Sequence, residues 1–202
     1  MIPAVIAALA LGLLLIAVDL AGTPPIELLG DPNQLSESPW WLGAVSLLGL
    51  LLWAGSAAVL LITGLVLREQ QRDSERALFF LATAALVFAA GVDDALVVHE
   101  VVLPDELGIP QPVVLLAYGG VALAWLIRFR EHLTPELRLL APAAAGFAAS
   151  LLFDNVHRLP GVSEAEWINV SDEYAKYAGL CFLFAWALVE ARRELLGRTL
   201  RA

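Results

Sequence analysis

The segment Asp93–Glu100 carries four ionisable groups within eight residues of an otherwise apolar stretch: Asp93, Asp94, His99 and Glu100. A charged side chain near the bilayer centre costs about 2.5–3.5 kcal/mol on insertion scales, so such residues face a bundle interior or a water-filled cavity. Carboxylate and imidazole together suit a zinc, iron or manganese ion, whereas a purely oxygen-donating set suits magnesium or calcium. The segment is therefore a candidate metal site.

Two later segments add groups of the same kind. Asp154 and His157 are three residues apart, so on a helix both side chains can reach a common point. Glu173 stands three residues before Lys176, the only lysine of the chain, and can pair with it on a helix. Di-iron helical bundles use a related Glu-x-x-His spacing on facing helices. The two segments are candidate partners of Asp93–Glu100.

Composition predicts a membrane protein. The 202 residues are 59% hydrophobic and 16% charged, with a mean hydropathy of +0.76, whereas a soluble domain carries about 25% charged residues. The net charge of −9 speaks against nucleic acid as a partner, because phosphates require a basic surface. The single cysteine, Cys181, excludes a disulfide within one chain and a thiolate metal cluster.

Six segments are long and apolar enough to cross a bilayer core of about 30 Å, which requires about 20 residues. We therefore predict an all-α, polytopic membrane protein with one domain, residues 1–202. No Lys or Arg precedes Arg68, so the first apolar run is read as a retained span rather than a secretory signal. The predicted spans are about 3–21, 41–67, 77–100, 112–128, 137–156 and 173–191.

Basic residues predict the orientation of these spans. Ten of the twelve Lys and Arg residues fall on one side of a six-span arrangement, and only Arg158 and Lys176 fall on the other. By the positive-inside rule both termini are cytoplasmic, and the loops near 22–40, 101–111 and 157–172 face outward. The expected location is the cell (inner) membrane, with lipids as partners. The ten residues are Arg68, Arg72, Arg76, Arg128, Arg130, Arg138, Arg192, Arg193, Arg198 and Arg201.

Several candidate residues are predicted to lie at a similar depth in the membrane. Counted at 1.5 Å per residue from the flanking arginines, Asp93, Asp154 and Lys176 each lie roughly 24–26 Å from the inner boundary. On one continuous helix, seven residues rotate by about 700°, which puts Asp93 and Glu100 on one face and Asp94 and His99 on its two flanks. The predicted metal ligands are Asp93, Glu100, Asp154, His157 and Glu173, with His99 and Asp94 as second choices, and Asp19 of the first span is a further candidate.

These residues favour a metal-dependent membrane enzyme, a hydrolase or an oxidoreductase, that acts on a lipid or another amphiphile from the extracytoplasmic side. A bound metal can acidify a water molecule and polarise a carbonyl or phosphoryl group. Asp93, Glu100 and Lys176 are the candidate catalytic residues. Two alternative functions remain open: a proton- or cation-coupled carrier or channel that uses the carboxylates and Lys176, and a structural subunit whose outer acids dock a partner. A separate alternative for Asp93 and Asp94 is that they form buried ion pairs with Lys176 and Arg158, which only fix the helix packing.

The acids and histidines near the ends of several spans resemble those of membrane hydrolases of the alkaline ceramidase type. That resemblance implies a histidine-rich zinc site within a bundle of seven spans. The present chain departs from this pattern, because it has six predicted spans and two candidate histidine ligands, His99 and His157. No residue role is therefore carried over from those enzymes.

Overall fold

A computed structural model describes residues 13–14, 16–22, 36–39, 42–71, 73–133, 137–156 and 166–196, without the side chains of 154–156 and 166–169. The described elements are all helical, and no strand occurs in these ranges. The helices are α1 (Ala44–Glu69), α2 (Ser74–Leu96), a π-helix (Val98–Glu106), α3 (Gln111–Leu133), α4 (Leu137–Val156) and α5 (Glu166–Leu196).

Among the described residues, three helices are long and apolar enough to span a membrane: α1, α2 and α3. In α4, the apolar part Leu137–Phe153 is shorter. Helix α5 is 31 residues long, and charged residues lie toward both of its ends. The predicted all-α class is thus confirmed for the described residues, and three of their helices are candidates to span a membrane.

The chain divides into two compact units, residues 1–44 and 45–202. In the first unit, residues 13–14 and 16–20 are α-helical within the predicted first span, and most of the remainder of that span lies outside the described residues. Asp19 belongs to this unit. All the other candidate residues belong to the second unit, which contains the hydrophobic core.

The core of the second unit is built around Phe79 of α2, which is fully buried. Its ring lies 5.3 Å from that of Phe80 and 5.5 Å from that of Phe129 in edge-on arrangements, and 5.9 Å from that of Trp125 in a stacked one. The ring of Trp186 on α5 also meets it edge-on at 6.2 Å. Such aromatic pairs stabilise by about 0.5–1.5 kcal/mol each beyond the area they bury. This cluster joins α2, α3 and α5.

Glycines allow close contact between neighbouring helices. A Cβ atom at Gly146 of α4 would lie 2.7 Å from the Cα of Gly179 on α5, and one at Gly64 of α1 would lie 2.8 Å from Leu81 Cγ on α2. Inside a bilayer no transfer of apolar surface out of water drives helices together, so helices associate through such close packing of small residues. The helices α4 and α5 therefore form one tightly packed pair.

Helix α2 ends abruptly before the predicted boundary at residue 100. Val97 adopts the left-handed conformation, with φ 51° and ψ 40°, and the π-helix follows with Pro104 inside it. A β-branched residue in this region is a genuine outlier, with a cost of order 1–3 kcal/mol. The predicted continuous span 77–100 is therefore two elements, an α-helix and a π-helix, joined at Val97.

Candidate functional site

Asp93 is the centre of a hydrogen-bonded group near the C-terminus of α2. Its Oδ2 lies 2.5 Å from His99 Nδ1, and its Oδ1 accepts from the His99 backbone N–H at 3.0 Å and from the Tyr118 hydroxyl at 2.9 Å. The side chains of Asp93 and His99 are 13% and 17% exposed. An ionised carboxylate only accepts hydrogen bonds, so this arrangement fits the His99 tautomer that has its proton on Nδ1. In that tautomer Nε2 has no proton and is available to a metal ion.

The Nε2 atom of His99 lies 3.4 Å from Glu100 Oε1. Glu100 is about half exposed, so these two groups stand at the open side of the Asp93 group. Two ligand atoms bound about 2.0–2.2 Å from one tetrahedral zinc ion lie roughly 3.4 Å apart. The imidazole and the carboxylate therefore have a separation that fits two ligands of one ion.

The break at Val97 explains why helical phase did not predict the contact between Asp93 and His99. On a continuous α-helix His99 would lie on a flank of the Asp93 face, whereas the left-handed Val97 and the π-helix fold it back onto Asp93. The residues that come together are Asp93 with His99, and His99 with Glu100. His99, the second choice by phase, is thus the histidine that the structure brings next to two of the predicted acids.

Asp94 belongs to a separate ion-pair group on the neighbouring side of α2. Lys176 Nζ lies 3.1 Å from Asp94 Oδ1 and 2.8 Å from Glu173 Oε1. The side chains of Lys176 and Asp94 are 24% and 17% exposed, so the contact between α2 and α5 is largely shielded. The structure therefore joins three of the predicted residues, with Lys176 as the counter-ion of two carboxylates.

A narrow cleft borders this ion-pair group. It is lined by Asp94, Glu173, Lys176 and Tyr177 together with Ser46 and apolar residues of α1 and α5. Its free volume, about 10 Å³, is room for one water molecule. In its present form the cleft admits water beside the lysine and no larger ligand.

Two predicted ligands cannot be placed in this geometry. His157 lies outside the described residues, and Asp154 is described only as the backbone of α4. Nearby on α4, Ser150 donates a hydrogen bond to Asp172 of α5. Within the part of the chain that the structure describes, no three His, Cys, Asp or Glu side chains form a metal-binding group. A site with three or more protein ligands would need a contribution from beyond those residues.

A second charged group, not predicted from the sequence, is buried where α2 begins and α5 ends. Arg76 donates to Glu190 Oε2 at 2.8 Å, to Glu194 Oε1 at 3.0 Å and to the backbone carbonyl of His132 at 3.0 Å. Arg193 also donates to Glu190 at 2.6 Å. Glu190 is fully buried, and Arg76 is 5% exposed. We call these four side chains, Arg76, Glu190, Arg193 and Glu194, the Arg76 network.

The positive-inside pattern predicts a cytoplasmic side for Arg76 and Arg193 but does not indicate that they take part in a buried network. The available signal was the pair Glu190 and Glu194, four residues apart on one helix face immediately after a long apolar run. Tyr118 was missed as well, since a tyrosine within an apolar span is usually read as a packing residue. The partners of Arg76 on α5 and of Tyr118 on α2 are distant in sequence, so spacing along one helix does not indicate which residues pair.

The face of α5 between Lys176 and the Arg76 network is apolar. Leu180, Leu183 and Ala187 follow at helical spacing and are at most 6% exposed. Val87 lies at the corresponding height on α2 and is also buried. Along this α2–α5 contact, a layer of hydrocarbon therefore separates the two charged groups.

Comparison with known proteins yields one match. No curated protein and no solved structure matches the chain. A family model described as "Domain of unknown function (DUF8692)" matches residues 3–190, which is most of the chain. The chain therefore belongs to the DUF8692 family.

Proposed function

We propose that the protein is an inner-membrane protein of six spans, with both termini cytoplasmic, that binds a divalent metal ion at its extracytoplasmic end. The ion is of the zinc, iron or manganese class, and His99 and Glu100 supply two of its ligands. Three described helices long and apolar enough to span a membrane support the membrane location. The distribution of ten arginines supports the orientation.

The observation that carries this proposal is the orientation of His99. Histidines that bind metals nearly always donate their second ring N–H to a carboxylate or carbonyl, which fixes the tautomer and the ring orientation. Asp93 accepts such a bond from Nδ1 at 2.5 Å, and Nε2 faces Glu100 at 3.4 Å. Asp93 is then the residue that positions the ligand rather than a ligand itself.

Completion of the site requires further ligands. Catalytic zinc sites have three protein ligands and structural ones have four. Asp154, predicted at the depth of Asp93, and His157, predicted one to two turns further out like His99 and Glu100, are the proposed source. Asp94 and Glu173 are less suited as metal ligands, because both carboxylates already pair with Lys176.

A metal ion bound there would lower the pKa of a coordinated water and so supply a nucleophile. The sequence-based expectation of an enzyme that acts on a lipid or amphiphile follows from this chemistry. Tyr118 is 42% exposed although it belongs to the Asp93 group, so the site is open on the side of α3. An amphiphile held in the bilayer can approach from that side.

The cation-coupled carrier is the less favoured alternative. A path across the bilayer needs polar groups along its length. The buried residues Leu180, Leu183 and Ala187 interrupt the α2–α5 contact between Lys176 and the Arg76 network. A site that opens at one end of the bundle agrees better with this arrangement.

Metal analysis of the purified full-length protein tests the proposal. We expect about one zinc, iron or manganese ion per chain in the wild type and a large loss in His99→Ala. His132→Ala is the matched control, because His132 also lies on a described helix but contacts neither Asp93 nor Glu100 in the structure.

Asp93→Asn provides a graded test, because substitutions of residues that orient a metal-bound histidine typically lower metal affinity 10–100-fold. We expect that variant to fold, to retain metal at high concentration and to lose it on dialysis. If the wild type and His99→Ala carry the same amount of metal, the proposal is wrong.

A further inference from the structure

We propose that residues 97–103 switch between two helical conformations, and that this switch decides whether His99 reaches Asp93. In the observed conformation α2 stops at Leu96, Val97 is left-handed and the π-helix brings His99 onto Asp93. In the other conformation α2 continues to the residue before Pro104. The proposal concerns regulation of the site described above, and its metal-dependent part rests on the proposed function.

Beyond Val97, the hydrogen bonding of the segment is of both helical types. The carbonyl oxygen of Val97 accepts from Val101 N at 2.9 Å, the spacing of an α-helix, and from Val102 N at 3.4 Å, the spacing of a π-helix. The part of the segment after Val97 is thus close in geometry to an α-helix. The main difference from a continuous helix is the left-handed backbone of Val97 itself.

The sequence offers no reason for α2 to stop at Leu96. Between Gly91 and Pro104 there is neither glycine nor proline, and the residue that takes the left-handed conformation is a valine. Left-handed conformations are normally taken by glycine, asparagine or aspartate. The break is therefore imposed by contacts outside the local backbone preference.

Asp93 provides those contacts. It accepts the backbone N–H of His99, the ring N–H of His99 and the hydroxyl of Tyr118. In a continuous helix the His99 N–H would instead donate to the carbonyl four residues earlier, and the ring would turn away from Asp93. The carboxylate and the helix backbone thus compete for one donor.

A cation bound by His99 Nε2 and Glu100 favours the broken conformation. Only there do the two groups stand 3.4 Å apart with Asp93 behind the imidazole. A ligand shifts an equilibrium by its difference in affinity for the two states. Metal binding and the break at Val97 therefore stabilise each other.

Distance measurements between two spin labels test the switch in the full-length protein. The labels are placed on cysteines at Phe88 of α2 and Leu107 beyond the π-helix, both more than 60% exposed, in a Cys181→Ala background. We expect one dominant distance for the wild-type segment. Asp93→Ala should add a second, separate distance that contains a substantial share of the molecules.

Asp94→Ala is the matched control, because this neighbouring carboxylate pairs with Lys176 of α5 rather than with a residue of the π-helix. It should leave the wild-type distance unchanged. Tyr118→Phe removes one of the three bonds to Asp93 and should populate the second distance less than Asp93→Ala does. If Asp93→Ala keeps the single wild-type distance, the switch does not exist. If Asp93→Ala does not fold, Tyr118→Phe and His99→Ala replace it in the test. A second distance in these variants supports the switch, and the single wild-type distance in both contradicts it.

Addition of Zn²⁺ separates this inference from the proposed function. In Tyr118→Phe, zinc should reduce the second population. A second distance that appears in the variants but does not respond to zinc would leave the switch standing and contradict metal binding. Zinc binding with one invariant distance in all variants would contradict the switch alone.

Discussion

At the scale of single residues, the ion pairs of Lys176 distinguish a role as counter-ion from a role in catalysis. As the only lysine it was a candidate for reactive chemistry, but its ammonium contacts both Asp94 and Glu173. An ammonium group held by two carboxylates is a charge partner rather than a nucleophile, because its lone pair is occupied by a proton. Asp93 and Asp94, adjacent in sequence, thus serve different partners: one orients an imidazole and the other neutralises a lysine.

Replacement of Lys176 should therefore affect stability more than metal content. Lys176→Met leaves Asp94 partly buried without its ammonium, and we expect a loss of about 1–3 kcal/mol in the free energy of unfolding. The double variant Asp94→Asn/Lys176→Met should recover part of that loss, because both charges are then removed. Thermal unfolding in detergent measures both, and a greater-than-tenfold loss of metal affinity in Lys176→Met would contradict the role as counter-ion.

At the scale of elements, α2 and α5 are antiparallel helices held by ion pairs at both ends. Arg76 and Asp94 are 18 residues apart on α2, and Lys176 and Glu194 are also 18 residues apart on α5. Arg76 pairs with Glu194, and Asp94 pairs with Lys176. Each helix has its basic residue first and its acidic residue second, so only an antiparallel arrangement brings opposite charges together. A parallel arrangement or a shift by one turn would separate these pairs.

Removal of the buried cation from this arrangement should be costly. Arg76→Met leaves Glu190 and Glu194 buried with less positive charge, and breaking a buried ion pair typically costs 3–5 kcal/mol. The matched control is Arg128→Met, whose partner Glu75 is 55% exposed. Exposed pairs contribute about 0–1 kcal/mol. Unfolding free energies that are equal for the two variants would show that the Arg76 network does not hold the helix pair.

At the scale of the whole molecule, the distribution of arginines predicts the orientation of the spans. Cysteine labelling with a membrane-impermeant maleimide in intact cells tests it in a Cys181→Ala background. A cysteine at Leu107, 64% exposed beyond the π-helix, should be labelled from outside. A cysteine at Gln71, exposed between α1 and α2, should be labelled only after permeabilisation. The reverse pattern would invert the topology.

The parts of the fold that follow from local pattern were predictable. The predicted span 137–156 coincides with α4, because an apolar run, Pro135 and the polar residues after it mark both ends. The break of α2 at Val97 was not predictable, since β-branched residues rarely adopt positive φ and the cause is a side chain, Asp93. The Arg76 network joins residues more than 110 positions apart, a separation at which helical spacing has no meaning.

The candidate site, like the fold, was predictable only in part. Depth along the helices brought Asp93, Asp94, Glu173 and Lys176 to one end of the bundle, and the structure places Asp94, Glu173 and Lys176 in contact there. Rotation around α2 failed beyond residue 96, because a phase of 100° per residue assumes an unbroken α-helix. Position along a helix is thus a more robust prediction than direction around it when a π-helix intervenes.

X-ray absorption at the metal edge of the purified protein tests the central claim most directly. The account predicts a first shell of nitrogen and oxygen atoms at about 2.0–2.2 Å with the outer scattering of imidazole. His99→Ala should lose one imidazole, and His132→Ala should leave the spectrum unchanged. A shell that contains sulfur, or one identical in wild type and His99→Ala, would contradict a site built on His99 and Glu100.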